Sequence, residues 1–320
     1  MTTRQRAVKC MGILAVAMFW SGAAATANAA NLFAKVSQTG TLLAGSGVSS
    51  VSWLGPGQYE VTFTTDVSQC AYVATTANAH SQALQAFTAG GHLSANGVFI
   101  ETKNQGGGLT NGPFHLVVNC GAPKLKYAVV GYSSDLVRAT AGATLTELGP
   151  GRYNIAFLES VSSCAFLASV GDPGNKLVFS PSGVYTGSGP NSKTVYIETK
   201  NPGGGLQGGI PFHLSVICST APATRIAVVN TSGFVSRSSS ATSSYNAALG
   251  QYVFVTNTSL GKCATIATRG SVGTSVPFAP ATLEIIGGPA ANTMGIEVRD
   301  LLFFGGKLNN AAFHTATVCP

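Results

Sequence analysis

Charged side chains are scarce in this chain of 320 residues, since Asp, Glu, Lys and Arg together make up only 9% of it. The few basic residues are scattered singly along the sequence, which argues against the concentrated positive surface that binds nucleic acid. Glycine, serine, threonine and asparagine are abundant instead. We therefore expect a largely neutral surface rich in hydroxyl and amide groups, which suits an extracellular protein, and no nucleic acid partner.

Long apolar runs are missing as well. Beyond residue 29 no uncharged apolar stretch approaches the length that a membrane-spanning helix needs. Residues 1–29 combine a basic head, a short apolar run from Met11 to Trp20 and an A-x-A ending, which are the three parts of a cleavable signal peptide. The run is too short for a stable membrane anchor. The sequence thus predicts export to the periplasm or the extracellular space, with Cys10 removed with the signal and no membrane span after cleavage.

Sequence motifs for catalysis and metal binding are also lacking. The chain has no G-x-S-x-G elbow, no C-x-x-C or H-x-x-x-H spacing, and no glycine-rich loop that ends in Gly-Lys-Ser or Gly-Lys-Thr. Hydrolases, zinc sites and phosphate-binding loops respectively use these patterns. We expect a protein that is not an enzyme and that uses no cofactor and no metal.

What the sequence does contain is a threefold internal repeat, which is the strongest pattern in it. The segment LGPGQYEVTFTTDVSQCAYVAT at residues 54–75 returns as LGPGRYNIAFLESVSSCAFLAS at residues 148–169, and more loosely as LGQYVFVTNTSLGKCATIAT at residues 249–268. The copies lie roughly a hundred residues apart, a length that suits whole domains rather than the short units of a solenoid.

Proline and small residues mark the boundaries between the repeats. They divide the chain into a signal peptide at residues 1–29 and three domains at residues 30–123, 124–221 and 222–320, of which the last is the most divergent. Since the linkers are only a few residues long, we expect a semi-rigid rod in which each domain folds without its neighbour.

Within each repeat, large apolar residues alternate with smaller or polar ones, as in the segment YEVTF at residues 59–63. This is the pattern of a strand with one buried face. Turn residues recur between short strands, and no segment shows a helical cap followed by a helical period. The sequence therefore predicts an all-β protein of three tandem antiparallel β-sandwich domains, with jelly-roll and immunoglobulin-like topologies both open.

Six cysteines remain after Cys10, two at matching places in every repeat. One disulfide in each domain would satisfy all three copies in the same way. The expected pairs are Cys70 with Cys120, Cys164 with Cys218, and Cys263 with Cys319. Each bond is expected to link distant strands and to close a loop of about fifty residues, which stabilises a domain by about 4 kcal/mol in the chain-entropy model. Such bonds require an oxidising export route.

Two sets of polar residues also recur. A histidine near the end of each repeat is expected to form hydrogen bonds across its own sheet, with a contact between domains or subunits as the alternative: His115, His213 and His314. A carboxylate followed two residues later by a cation predicts surface ion pairs of little energetic value: Glu101 with Lys103, Glu198 with Lys200, and Glu297 with Arg299. The other roughly matching acids, Asp66 and Glu159, do not by themselves indicate a glycosidase site.

Glycine runs follow the Glu-Thr-Lys segments of the first two repeats. They predict long glycine hairpins at one end of a sandwich, where partners are often bound. The candidate binding residues are Asn104, Gly106, Gly107 and Gly108 in repeat 1, and Asn201, Gly203, Gly204 and Gly205 in repeat 2. In repeat 3 the apolar residues Phe303 and Phe304 take this place, which predicts a capping or docking role. The expected partner is a glycan or a surface protein.

Residues 40–67, GTLLAGSGVSSVSWLGPGQYEVTFTTDV, resemble a signature of β-domains in phage tail-fibre and prophage proteins. The full copies are similar to uncharacterised secreted bacterial repeat proteins with the same Y-x-V-x-F, Cys-Ala-Tyr, E-T-K-N and F-H-L-x-V-x-C blocks. The resemblance covers all three domains and implies the fold type, but it brings no activity and no catalytic residues. Tail-fibre domains are often trimeric, yet no coiled-coil heptads or collagen-like segment would enforce that here, so the oligomeric state stays open.

These features favour a secreted, non-enzymatic protein that presents its loop tips for adhesion or surface contact. Two alternatives are an extracellular hydrolase or inhibitor that acts on polymers, and a purely structural spacer in a fibre or surface layer.

Overall fold

A computed structural model describes residues 31–77, 83–122, 124–176, 181–239, 241–246, 251–256, 259–274, 276, 281–288, 290–300 and 311–320. Within this part of the chain the protein is all-β, as the sequence predicts, with 24 strands and no helix. There is accordingly no apolar helix of membrane-spanning length among these residues. The expected signal peptide, with Cys10, and the apolar loop with Phe303 and Phe304 lie outside the described residues.

Eight strands come from each repeat. Repeat 1 forms β1 (Leu32–Val36), β2 (Leu42–Ser46), β3 (Val48–Gly55), β4 (Gln58–Phe63), β5 (Ala71–Ala77), β6 (Gln85–Gly90), β7 (Gly97–Lys103) and β8 (Phe114–Asn119). Repeat 2 forms β9 (Leu125–Val130), β10 (Leu136–Ala139), β11 (Thr144–Gly149), β12 (Arg152–Ala156), β13 (Cys164–Val170), β14 (Gly183–Ser188), β15 (Thr194–Lys200) and β16 (Phe212–Cys218). Repeat 3 forms β17 (Thr224–Val229), β18 (Val235–Ser238), β19 (Ala241–Asn246), β20 (Gln251–Thr256), β21 (Ala264–Arg269), β22 (Ala281–Gly287), β23 (Thr293–Asp300) and β24 (Phe313–Val318).

The strands of a repeat form two groups of four, an inner and an outer one, with the same strand order in all three repeats. The outer strands of repeat 3 and the inner strands of repeat 1 are joined into one sheet of eight strands, because β22 pairs with β5 in parallel. The inner sheets, which face the other repeats, have the orders β2-β1-β8-β5, β10-β9-β16-β13 and β18-β17-β24-β21. The outer sheets have the orders β3-β4-β7-β6, β11-β12-β15-β14 and β19-β20-β23-β22. The pairings within a repeat are antiparallel, so each repeat has the predicted β-sandwich form.

An apolar core fills the space between the two sheets of each repeat. In repeat 1, β4 contributes Tyr59, Val61 and Phe63 to this core, because alternate side chains of a strand share one face. The turn before β4 requires Gly57, whose φ is +68° and whose added Cβ would lie 2.6 Å from the carbonyl oxygen of Thr102. The same constraint in repeat 2 explains why the Gly-Pro-Gly segment recurs.

A fourth apolar core is shared by the three inner sheets. Its buried side chains include Phe33, Val73 and Val117 of repeat 1, Leu167 and Ile217 of repeat 2, and Ile226, Ile266 and Val318 of repeat 3. The inner sheets therefore surround a common axis, and their strands β8, β16 and β24 are buried on both faces.

The three repeats form a closed ring, so the expected rod is wrong. Strands β5, β13 and β21, one from each repeat, all contact one another. At the start of the described chain, Asn31 Nδ2 donates hydrogen bonds to the carbonyl oxygens of Pro222 and Cys319 in repeat 3, at 3.2 and 3.4 Å. The physical reason lies in β8, β16 and β24, whose residues are buried on both faces. A sheet with one solvated face would instead alternate buried and exposed residues.

The cysteines are joined in the pairs that the repeat pattern predicts: Cys70 with Cys120, Cys164 with Cys218, and Cys263 with Cys319. The linked strands are neighbours, however, because β5, β13 and β21 pair directly with β8, β16 and β24. Cys164 and Cys218 stand opposite each other in this register. The expectation that the bonds link distant strands is therefore wrong, and each disulfide instead fastens one end of an inner sheet.

Candidate functional site

The three recurrent histidines lie at the contacts between repeats. The Nδ1 atom of each ring accepts a hydrogen bond from a main-chain N–H of another repeat: His213 from Tyr72 at 2.9 Å, His314 from Phe166 at 2.8 Å, and His115 from Thr265 at 3.0 Å. Each donor belongs to a different repeat, so the three bonds run once around the ring. The expectation of hydrogen bonds within each repeat covers only the Nε2 atoms of His213 and His314, which donate to Asp172 and Ser271 of their own repeats. The Nδ1 atoms of all three histidines form the alternative, a contact between repeats.

Burial keeps these imidazoles neutral. His213 and His314 donate from Nε2 to the carbonyl oxygens of Asp172 and Ser271, both at 3.1 Å, which leaves Nδ1 as the acceptor. Burial lowers the pKa of His115, His213 and His314 to about 3. Next to burial, one nearby cation lowers the pKa of each ring further: Lys35, Arg138 and Arg237, respectively. The histidines are therefore uncharged, and they join the repeats through hydrogen bonds.

Hydroxyl groups repeat the same arrangement. One hydroxyl of each repeat accepts the main-chain N–H of an alanine in another repeat and donates to the carbonyl oxygen of that alanine. The pairs are Ser169 with Ala74, Thr268 with Ala168, and Thr75 with Ala267, with all six distances between 2.8 and 3.1 Å. The alanines lie on β5, β13 and β21, of which β13 and β21 are edge strands and β5 pairs with β22 of repeat 3 over two residues. Side chains of the next repeat thus cover strand edges that would otherwise recruit another chain.

The repeated carboxylates form buried ion pairs, which contradicts the expectation of surface pairs. The partners are Glu101 with Lys103 at 2.8 Å, Glu198 with Lys200 at 2.9 Å, and Arg299 with both Glu284 and Glu297. Lys103 and Lys200 also lie over the rings of Phe87 and Tyr185, 5.2 and 5.1 Å from the centroids. Removal of one partner would leave an uncompensated buried charge, so these residues belong to the interior of the sandwiches.

The two remaining acids of the sequence argument lie away from those pairs. Asp66 follows the end of β4, whereas Glu101 is opposite Gln58 at the start of β4. Glu159 lies in the corresponding connection of repeat 2, with its Oε2 atom 2.8 Å from Lys126 Nζ. These acids therefore do not converge with the buried carboxylates on a cleft. The described residues also contain no group of three His, Cys, Asp or Glu placed to hold a metal ion.

The two candidate binding loops have the same compact form. The Asn104 N–H donates to Gly108 O and the Gly107 N–H donates to Asn104 O, both at 2.9 Å. The Asn104 Oδ1 atom accepts the N–H of Gly108 at 3.0 Å. The corresponding residues of repeat 2, Asn201, Gly204 and Gly205, form the same three bonds at the same distances. The loops are tight turns held by their own asparagine, not the long hairpins that the sequence suggests.

Each loop adjoins the Leu-Gly-Pro-Gly turn of its own repeat, and the two segments together form what we call a tip. The repeat 1 tip consists of residues 54–57 and 104–109, and the repeat 2 tip of residues 148–151 and 201–206. Their exposed leucines are Leu54 and Leu109 in the first tip and Leu148 and Leu206 in the second. These leucines are not among the asparagines and glycines predicted as binding residues, although the repeated LGPG and GGGL segments carry the signal for them.

A pocket of about 80 Å³ lies on the axis of the ring. The same two segments of each repeat line it, at residues 74–76 and 85–87, 168–170 and 182–184, and 267–269 and 281–283. It lies at the tip end, because Gln85 is paired with Lys103 directly before the repeat 1 loop. No sequence pattern indicates this axial pocket, since it exists only where the three repeats meet. Comparison of the chain with protein-family models, curated proteins and solved structures finds no match.

Proposed function

We propose that the protein is exported, has no enzymatic activity, and binds a glycan or a protein at a surface through the tip end of its ring. The observation that carries this proposal is the recurrence of one tip in two repeats, with the same asparagine-closed loop and the same pair of exposed leucines. Buried leucines that recur would serve the core. Exposed leucines that recur on a rigid turn suit contact with a partner.

The ring fixes the spacing of the two tips. A Cβ atom added to Gly107 in the repeat 1 tip would lie 3.0 Å from Pro181 Cδ in repeat 2, so this tip lies against the neighbouring repeat. Two contacts held at a set distance bind a repetitive surface more tightly than one contact does. A polysaccharide or a protein lattice offers such repetition, which supports surface attachment over the binding of a single small partner.

The surface next to the repeat 1 tip adds an aromatic group. Trp53 is half exposed at the end of β3, and its Nε1 atom donates to Asn111 Oδ1 at 3.4 Å. An indole ring held in this way presents a flat apolar face with little further loss of entropy on binding. Such a face matches the apolar side of a sugar ring, which favours a glycan among the proposed partners.

Export is part of the proposal. The three disulfides fit an oxidising compartment such as the periplasm or the extracellular space. The basic head, apolar run and A-x-A ending of residues 1–29 supply the route.

The proposal is tested with the mature chain on a glycan array and on intact cells. Wild type is compared with a double variant, Leu109→Ser with Leu206→Ser, and with the control Leu158→Ser. Leu158 is 68% exposed but follows β12, at the end of the sandwich away from the tips. We expect the double variant to lose about tenfold or more in affinity, since two apolar contacts of about 1 kcal/mol each are removed, and the control to bind as wild type.

Unchanged binding by a folded double variant would contradict the placement of the site. Release of shortened fragments from a polymer by the wild-type chain would contradict the non-enzymatic part of the proposal and favour the hydrolase alternative.

A further inference from the structure

We propose that the cleft between repeats 2 and 3 binds a sugar that carries a sulfate or phosphate monoester, as found in sulfated polysaccharides and in sugar phosphates. The inference goes beyond the tip proposal, because none of the tip residues lines this cleft. It rests on three observations: an open cavity of suitable size, an arginine that forms no ion pair with a described carboxylate, and a wall that offers hydrogen-bond donors.

The contacts between repeats share one cation each but differ in what lies beside it. The cations next to the interface histidines are Lys35, Arg138 and Arg237. Between repeats 1 and 2, His92 bridges the two repeats, with its Nε2 atom 2.7 Å from Asn175 O. Between repeats 3 and 1 lies a cavity of about 200 Å³, lined by apolar residues such as Ile285 and Met294. The contact between repeats 2 and 3 is the polar and open one.

A shorter connection between β14 and β15 opens this cleft. The segment of residues 188–194 corresponds to residues 90–97 of repeat 1, so seven residues stand in place of eight. The shorter segment has Pro190 where repeat 1 has the bridging His92. The cavity measures about 410 Å³, which lies within the range of about 300–1,000 Å³ typical of small-molecule sites.

The cation of the cleft is Arg237, on β18. Its Nη1 atom donates to Ser162 O of repeat 2 at 2.8 Å, and its Cζ atom lies 5.1 Å from the centroid of the Phe166 ring. Burial lowers the pKa of Arg237, and no charge among the described residues counters that effect. A partly buried cation without a counter-ion is unfavourable. An anion in the cleft would stabilise it.

The matching arginine between repeats 1 and 2 has such an anion. Arg138 occupies the same place on β10. Burial lowers its pKa too, but the carboxylate of Asp172 is among the groups that counter the effect. Asp172 and Ser271 are equivalent, because their carbonyl oxygens accept the Nε2 protons of His213 and His314. Repeat 3 therefore has a neutral residue where repeat 2 has a carboxylate, and a ligand can supply the negative charge.

The other polar groups of the cleft are mainly donors. Asn191 Oδ1 accepts the N–H of Lys193 and the hydroxyl proton of Thr194, both at 2.9 Å, so the Nδ2 group of this exposed residue is left to donate to a ligand. The hydroxyls of Ser192 and Ser236 are exposed on the same cleft. The oxygens of an oxyanion only accept hydrogen bonds, so this wall suits them.

The orientation of Arg237 favours a monoester over a carboxylate. A guanidinium grips a planar carboxylate with two parallel N–H groups, and Nη2 belongs to each such pair. In Arg237 the Nη2 atom is buried, and Nη1 is bonded to Ser162 O. A carboxylate would therefore lose its two-bond geometry. A sulfate or phosphate monoester has three terminal oxygens, which can contact the arginine, the amide and a serine separately.

The rest of the cleft suits a sugar ring. Ser188 and Thr194 line it, and they donate their hydroxyl protons to Val272 O at 3.0 Å and to Asn191 Oδ1 at 2.9 Å. Both hydroxyl oxygens keep a lone pair that can accept a hydrogen bond. Sugar hydroxyls can donate to these oxygens, whereas a free anion cannot. An ester on a sugar thus uses both kinds of group in the cleft.

Isothermal titration of the mature chain at low ionic strength tests the inference. The probes are glucose 6-sulfate, glucose 6-phosphate, glucuronate, glucose and inorganic sulfate. We expect the two esters to bind, and each of the other three probes to bind about tenfold more weakly or worse, since each lacks part of the charge or of the hydrogen bonds. Tighter binding of the sulfate ester points to a sulfated polysaccharide as the source, and tighter binding of the phosphate ester points to a sugar phosphate.

Two variants of the cleft remove the features that recognise the ester. Asn191→Asp keeps the oxygen that closes the turn but replaces the donor by a negative charge, so glucose 6-sulfate should bind about tenfold more weakly or worse. Asn175→Asp adds the same charge at an exposed asparagine between repeats 1 and 2 and should bind as wild type. Arg237→Gln should abolish the preference for glucose 6-sulfate over glucose.

A third variant tests the role of the missing carboxylate. Ser271→Asp copies Asp172 of repeat 2 and should weaken glucose 6-sulfate about tenfold or more, because the new charge takes the place of the ligand's charge. The fold should accept it. Ser271 Oγ accepts the N–H of Gly273 at 3.1 Å, as Asp172 Oδ1 accepts that of Gly174 at 2.6 Å, and an unchanged melting temperature checks this.

Two results would overturn the inference: equal affinity for glucose 6-sulfate and glucose, or no binding of any probe. The tip variant Leu109→Ser with Leu206→Ser should bind glucose 6-sulfate like wild type. Failure of the tip proposal and failure of the cleft proposal are therefore distinguishable.

Discussion

His314 of repeat 3 reaches into repeat 2, where its Nδ1 atom accepts the N–H of Phe166 at 2.8 Å and its ring centroid lies 5.0 Å from that of Phe166. His213 makes the same pair with Tyr72, at 2.9 and 4.8 Å. Where repeat 3 meets repeat 1, the partner is Thr265, which has no ring. The hydrogen bond to histidine, and not the contact between rings, is thus the constant element of the three interfaces.

Acid should open the ring. Burial lowers the pKa of the three interface histidines to about 3, whereas an unfolded histidine has a pKa of about 6.5. Between these values the unfolded chain binds protons that the folded chain does not, so the free energy of unfolding falls as the pH falls. Each histidine contributes up to about 1.4 kcal/mol per pH unit in this window. Urea unfolding measured at several pH values between 7 and 4 checks the slope.

A variant shows whether the histidines cause that slope. His213→Asn keeps a hydrogen-bond acceptor but removes one of the three titrating groups, so the slope should fall by about a third. Stability that stays flat from pH 7 to pH 4 in the wild-type chain would contradict the neutral, buried state of these rings.

Truncation of one interface histidine should be costly. His213→Ala leaves the N–H of Tyr72 buried without an acceptor and creates a cavity, so we expect a loss of about 2–4 kcal/mol in the free energy of unfolding. Leu158→Ala, at an exposed leucine, should change it by less than about 1 kcal/mol. Chemical denaturation of both variants gives the comparison, and similar losses would mean that the interface bond adds little.

Two neighbouring glycines of the repeat 1 tip should respond differently to alanine. Gly57→Ala forces a Cβ to 2.6 Å from the carbonyl oxygen of Thr102 at a φ of +68°, so we expect a destabilisation of about 1–3 kcal/mol. At Gly55 the nearest atom to an added Cβ is Gln58 Oε1, at 3.5 Å, and the change should stay within about 0.5 kcal/mol. The melting temperatures of the two variants check this difference. An equal loss of stability in both variants would contradict the turn conformation at Gly57.

The ring should tolerate new chain ends. Asn31 contacts the carbonyl oxygen of Cys319, so a short glycine-serine linker can join the two ends of the mature chain. A circular permutant opened between repeats 1 and 2, within residues 121–124, keeps every described interface and should melt within a few degrees of wild type. Its failure to fold as a monomer under oxidising conditions would contradict the contact between the two ends of the ring.

The strands and the cysteine pairs could be predicted because both follow from patterns within a single repeat. Alternation in the segment at residues 59–63 marks a buried face, and matching cysteines in each repeat leave one pairing that all copies share. The arrangement of the repeats in a ring, and not in a rod, could not be predicted from the length of the linkers. A signal did exist in β8, whose six residues FHLVVN are all buried, since a strand without alternation indicates a sheet covered on both faces.

The contacts of the histidines and the existence of the axial pocket could not be predicted from the sequence. His213 bonds to a main-chain N–H that lies 141 residues away, and a main-chain group leaves no mark in the residue pattern. Gln85 and Arg269 come from different repeats and both line the pocket on the axis. Repeat alignment even hides them, because the corresponding residues of repeat 2 are Gly183 and Val170.

Small-angle X-ray scattering of the mature chain tests the closed ring most directly. A compact body of about 290 residues should have a radius of gyration of about 19 Å, whereas three sandwiches of about 95 residues placed end to end should have one of roughly 29 Å. We predict a value close to 19 Å. A value close to 29 Å would contradict the ring, and with it the shared core and the axial pocket.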